Sequence, residues 1–67
     1  MWVVNHFDGD GIIAYKNTKE EAMDVVRAIF AQQVAEDEIP LDEMEFYLEN
    51  IEQYGDGGSY AVYEIGG

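Results

Sequence analysis

Sixty-seven residues make one domain, and a chain this short hides only about 60% of the surface it exposes when unfolded, so a single small core is all it can build. Fifteen acids stand against three bases, a net charge of −12 that excludes a nucleic-acid binder working by phosphate neutralisation and is repelled by anionic membranes. With 48% hydrophobic and 13% aromatic residues the composition is nevertheless that of a folding chain, and the partner it suits is positively charged.

Trp2 to Phe7 and Ile12 to Lys16 are short runs rich in β-branched and aromatic residues, separated by Asp8-Gly9-Asp10-Gly11, whose Asp-Gly pairs turn the chain easily. A hairpin is expected, with Phe7 opposite Ile12, Val4 opposite Tyr15 and His6 opposite Ile13. Both faces of it carry apolar residues, so the core face is not specified. Thr18 then reads as an N-cap, with Glu21 three residues on in the position of a capping box. The first helix is predicted over 19–35, with Ala22, Val26, Ile29, Phe30 and Gln33 inward and Glu20, Asp24, Arg27, Ala28, Ala31 and Ala35 outward. Glu36-Asp37-Glu38 is unfavourable at a helix C-terminus and Pro40 cannot continue the helix, whereas it suits the first turn of the next. The second helix is predicted over 40–53 and a last strand over 59–65. The expected fold is α+β, order ββααβ, a three-stranded antiparallel sheet with two helices packed on one face and the last strand on one hairpin edge.

Chemistry is hard to assemble from this inventory. His6, Asp8, Asp10, Gly11, Ile12 and Ile13 fall at positions one, three, five, six, seven and eight of an EF-hand calcium loop, but position one is not Asp and position twelve is Asn17 in place of Glu. A plain turn explains them with less. His6 is the only histidine and the chain has no cysteine, so neither a two-histidine metal site nor a thiolate exists. Ser59 sits in a Gly-rich turn with no evident base, and YGDGG lacks the Lys and helix start of a phosphate loop. A non-enzymatic protein without cofactor or metal is expected.

The acid is not spread evenly. From Glu36 to Glu52 there are eight carboxylates and no base, and after Arg27 forty positions hold ten acids and no Lys or Arg. A solubility adaptation to high salt need not be lopsided; a binding face is. Leu41, Met44, Leu48 and Ile51 recur at helical spacing, and Asp42, Glu45, Glu49 and Glu52 form a second stripe turned away from them, like charges three or four apart at some cost to the helix. Phe46 lies on the polar side of this wheel. It is either an aromatic anchor in a ring of charge or a residue that reaches back over the first helix or onto another subunit. The candidate partner-binding residues are Glu36, Asp37, Glu38, Asp42, Glu43, Glu45, Phe46, Glu49, Glu52 and Asp56.

In size, charge and the acidic helix Asp42 to Glu52 the chain resembles the small acidic phage-encoded anti-CRISPR and anti-restriction proteins that mimic DNA. The resemblance is of class and rests on no shared motif. It implies a stoichiometric inhibitor in a bacterial host cytoplasm, bound to a positively charged nucleic-acid-binding protein or nuclease complex, with no direct nucleic acid and no membrane. The residues also allow a different class, an adaptor module docking through Phe46, Tyr47 and Tyr54 or through an edge strand, with charge serving solubility. Aromatics on both sheet faces leave room for a homodimer.

Overall fold

The computed structural model describes residues 1–66. Strand β1 (Trp2–His6) runs between β2 (Gly11–Lys16) and β4 (Tyr60–Glu64), and a two-residue strand β3 (Asp56–Gly57) extends the sheet beyond β4, giving the order β2-β1-β4-β3, all antiparallel. The class α+β stands as expected, and β4 does pair with a hairpin edge. The sheet has four strands in place of three, however, and the order is ββααββ. A strand of two residues, Asp-Gly, carries no alternation that a sequence pattern could register.

The hairpin register also differs from the expected one. Val3 faces Tyr15, Val4 faces Ala14, Asn5 faces Ile12 and His6 faces Gly11, with an irregularity between Val4 and Asn5. One extra residue at Ile12-Ile13 is a β-bulge, and a bulge moves the side chains beyond it to the other face. Tyr15 is thereby taken off the side it would share with Val4. The turn closes over four residues, Phe7 to Asp10, with the Gly9 amide donating to the His6 carbonyl at 3.2 Å and Gly11 at φ 75°, a left-handed conformation cheap for glycine.

Helix α1 (Lys19–Ala35) starts where the sequence places it: the Thr18 hydroxyl oxygen accepts from the Glu21 amide at 3.1 Å and donates to the Glu21 carboxylate at 3.3 Å. Thr18→Ala should therefore cost about 1 kcal/mol, a fall in melting temperature of roughly 4–8 °C for a domain of this size, read by circular dichroism. Helix α2 (Leu41–Tyr54) has Pro40 at its N-cap and ends at Gly55, left-handed at φ 96°. The two helices cover one sheet face. Val4, Tyr60 and Val62 from the strands meet Ala22, Met23, Val26 and Phe30 of α1 and Ile51 of α2 in one core, all at or below 9% exposure. Burial deepens along α2: Leu41 is exposed, Met44 and Leu48 are half-buried and Ile51 is buried, so the inward placing of Leu41 is corrected. The reason is local. α2 is held by its C-terminal half, where Gly57 packs against Tyr47, Asn50 and Ile51.

Alternation puts Val3 on the opposite, helix-free face, yet it is completely buried. Its cross-strand neighbours, sharing that face, are the larger Tyr15 and Tyr63, both exposed themselves. No helix of the described residues is long and apolar enough to cross a membrane.

Candidate functional site

Three features converge on one end of the molecule: the hairpin turn, the junction of the helices, and the β3–β4 turn. The junction is stiff. After α1 the Glu36 amide donates to the Gln32 carbonyl at 3.0 Å, Asp37 to Val34 at 3.1 Å and Glu38 to Gln33 at 2.8 Å. The last two bonds are those of a Schellman motif, whose left-handed position is held here by Asp37 at φ 60°. Glycine would take that position without cost; aspartate is tolerated there but brings a charge. Glu36, Asp37 and Glu38 are all exposed, and the Glu36 carboxylate accepts from the Gln32 amide.

Along α2, Asp42, Glu45, Glu49 and Glu52 are exposed, as the helical wheel requires. Five carboxylates on a 14-residue helix about 21 Å long give one charge per roughly 4 Å of axis, against one per 3.4 Å along a single strand of DNA. The five are not equivalent. Asp42 Oδ1 accepts from the Glu43 amide at 3.1 Å at the helix start, where a negative charge favours the dipole. Glu43 is half-buried and accepts from the Tyr47 hydroxyl. Glu52 is paired: Lys19 Nζ lies 3.4 Å from its carboxylate and donates to its backbone carbonyl at 3.1 Å. That base comes from the start of α1, so reading α2 alone could not reveal it. Asp56 stands apart from the stripe, since its register with Ala61 and Asn5 places it on the helix-free face of the sheet. Phe46 is 60% exposed, its ring 6.1 Å from that of Tyr47.

Between the hairpin turn and the helix junction lies a cleft of about 270 Å³. It is lined by His6, Phe30, Tyr47 and Tyr60, by Gln33 and Ile39, and by the Gly58-Ser59 turn. The rings are mutually ordered: His6 stacks on Tyr60 at 4.6 Å, Tyr60 meets Phe30 edge-on at 5.4 Å, and Phe30 is tilted on Tyr47 at 5.7 Å. No sequence pattern signals this grouping, which joins four separate elements. His6 Nδ1 is 3.5 Å from Asp10, and Ser59 donates to Asp8 at 3.4 Å, so carboxylates also stand on the hairpin side.

The hydrogen bond to Glu43, with burial and the same carboxylate's charge, raises the Tyr47 phenol above its ordinary pKa. Burial, and then the charge of Asp10, does the same to Tyr60. Both favour the neutral phenol in the fold, so this contribution is complete below pH about 10 and is lost as pH rises through the folded-state values. Thermal melts from pH 8 to 11 should show a falling midpoint, with a shallower fall in the Tyr47→Phe/Tyr60→Phe variant.

Among the described residues no group of three or more His, Asp or Glu is placed to hold a metal ion. No protein-family model, curated protein or solved structure matches this chain.

Proposed function

We propose that this protein is a non-enzymatic inhibitor that occupies the nucleic-acid groove of a positively charged binding protein or nuclease complex, presenting carboxylates where that protein receives phosphates, as do the anti-CRISPR and anti-restriction proteins it resembles. The observation that carries the reading is the run of seven carboxylates from Glu36 to Glu49, all exposed but the half-buried Glu43, mounted on a hydrogen-bonded turn and on a helix. The charge at Asp37, where an uncharged glycine would fold more easily, supports it. So does the placing of the bases, since Lys19 pairs with Glu52 and Arg27 with Asp24, leaving the run from Glu36 to Glu49 clear of cations.

The test is capture from bacterial lysate by the tagged chain, washed at low and high salt and challenged with DNA. Salt-released, DNA-competed capture of one nucleic-acid-binding complex is expected. Asp42→Asn/Glu45→Gln/Glu49→Gln, which spares the paired Glu52, should weaken that capture on the order of 100-fold, at about 1 kcal/mol or more for each charge-assisted hydrogen bond that the amides no longer make. Exposed Phe46 and Tyr54 and the free edge of β2 favour the second reading, an adaptor docked through aromatics or an added strand. On that reading capture survives high salt and the amide variant, and Phe46→Ala abolishes it.

A further inference from the structure

We propose that the cleft walled by His6, Phe30, Tyr47 and Tyr60 receives the guanidinium of an arginine side chain supplied by the partner protein. Aromatic faces attract cations through their quadrupole, and the planar, weakly hydrated guanidinium stacks on rings more readily than a lysine ammonium does. The ring surface available here is that of half-buried His6 and Tyr47, with Phe30 and Tyr60 buried behind them. At about 270 Å³ the cleft is large enough for that group and small for most other ligands.

Its charge surroundings agree. Asp10 lies beside His6, Asp8 is bonded to Ser59, and Glu43 is bonded to Tyr47, while the Glu36-Asp37-Glu38 turn leads into Ile39 at the cleft's side. Lys16 and Lys19 are at the opposite end: Lys16 pairs with Trp2 at the far end of the hairpin, and Lys19 is engaged with Glu52. The same contacts raise the phenols: the hydrogen bond to Glu43 does so for Tyr47, and burial, then the charge of Asp10, for Tyr60. Gln33 offers an amide oxygen to the guanidinium N–H groups. Gly58, at φ 60°, packs closely under the rings, since a Cβ there would stand 3.3 Å from both Phe30 and Tyr47. That the arginine comes from a protein rests on the reading above; the preference of the cleft for a guanidinium does not.

The test is a nitrogen-proton NMR titration of the full chain with N-acetyl-arginine amide, alongside the citrulline amide, which has the same shape without the charge, and the lysine amide. Saturable shifts at His6, Gly58, Ser59 and Tyr60 with the arginine compound, at least roughly tenfold weaker with the other two, are expected. Gln33→Lys, which brings a competing cation to the cleft, and Asp8→Asn/Asp10→Asn, which removes exposed charge, should each weaken binding several-fold in proteins with an unchanged melt. Equal binding of the citrulline compound, or shifts spread over Asp42, Glu45 and Glu49 in place of the cleft, would overturn the proposal. Equal binding of the lysine compound would overturn the choice of arginine. Because the titration needs no partner, a cleft that binds arginine while the α2 amide variant leaves capture unchanged would sink phosphate mimicry alone, and the reverse pair of results would sink the cleft alone.

Discussion

Phe30→Ala is expected to leave most of the chain without a cooperative unfolding transition at 25 °C. Phe30 is 2% exposed and is the largest fully buried side chain, packed against Tyr47, Tyr60 and Gly58 at once. Truncating such a residue costs about 3–5 kcal/mol, because the transfer energy is lost and the cavity left behind cannot collapse. At the usual 0.05–0.15 kcal/mol per residue, a domain of this length has only about 3–10 kcal/mol in total. Urea denaturation followed by circular dichroism gives the answer directly. Phe30→Leu should keep a sigmoidal transition at lower urea, since most of the volume is retained. Phe46→Ala, at an exposed ring, should move the midpoint by less than about 0.5 kcal/mol in free energy. A Phe30→Ala protein that melted like the parent would mean that the core is not organised around this ring.

Gly57→Ala should be the most damaging of the glycine substitutions. A Cβ there would stand 2.4 Å from the Tyr47 carbonyl oxygen and 3.2 Å from Asn50 Cβ and Ile51 Cγ1, and the carbonyl belongs to the backbone of α2, which cannot rotate aside. The strand or the helix has to move, so the cost should reach or exceed the 1–3 kcal/mol typical of an overpacked core. Gly58→Ala meets only side-chain rings at 3.3 Å and adds the left-handed penalty, about 1–2 kcal/mol. Gly11→Ala, with nothing within 4 Å, carries that penalty alone. Melting temperatures should therefore fall in the order Gly11→Ala, Gly58→Ala, Gly57→Ala, and an inverted order would contradict the packing of β3 on α2.

The same glycine explains much of what the sequence could and could not convey. Helix boundaries were legible because local chemistry sets them: Thr18 caps α1, Pro40 separates the helices and Gly55 ends α2. The outward face of α1 followed from helical period alone, whereas the period placed Phe46 on the polar side of α2 without deciding whether its ring reached back over α1. Register did not, since nothing local distinguishes Ile12 opposite Phe7 from Ile12 opposite Asn5, and the bulge that decides it answers to the whole sheet. Leu41 fits the apolar stripe as well as Ile51 does; whether a stripe position is covered depends on what stands across from it. The carboxylate run was visible from composition, whereas the Lys19–Glu52 pair and the ring of His6, Phe30, Tyr47 and Tyr60 join residues far apart in the chain and exist only once the helices are antiparallel on the sheet.

Trp2, the only tryptophan, is half-buried against the core with Lys19 Nζ 6.0 Å from its ring centre, at the opposite end of β1 from His6. The chain thus carries one local optical reporter. Indole emission senses the Lys19–Glu52 end and the seam between α1 and the sheet, about one strand length or 14 Å from His6 and Tyr60, whereas phenol absorbance sums five tyrosines, two of which, Tyr15 and Tyr63, flank Val3 beside the indole. A guest at the His6–Tyr60 end that leaves the indole spectrum in place has bound to a folded molecule, and one that moves it has loosened the fold.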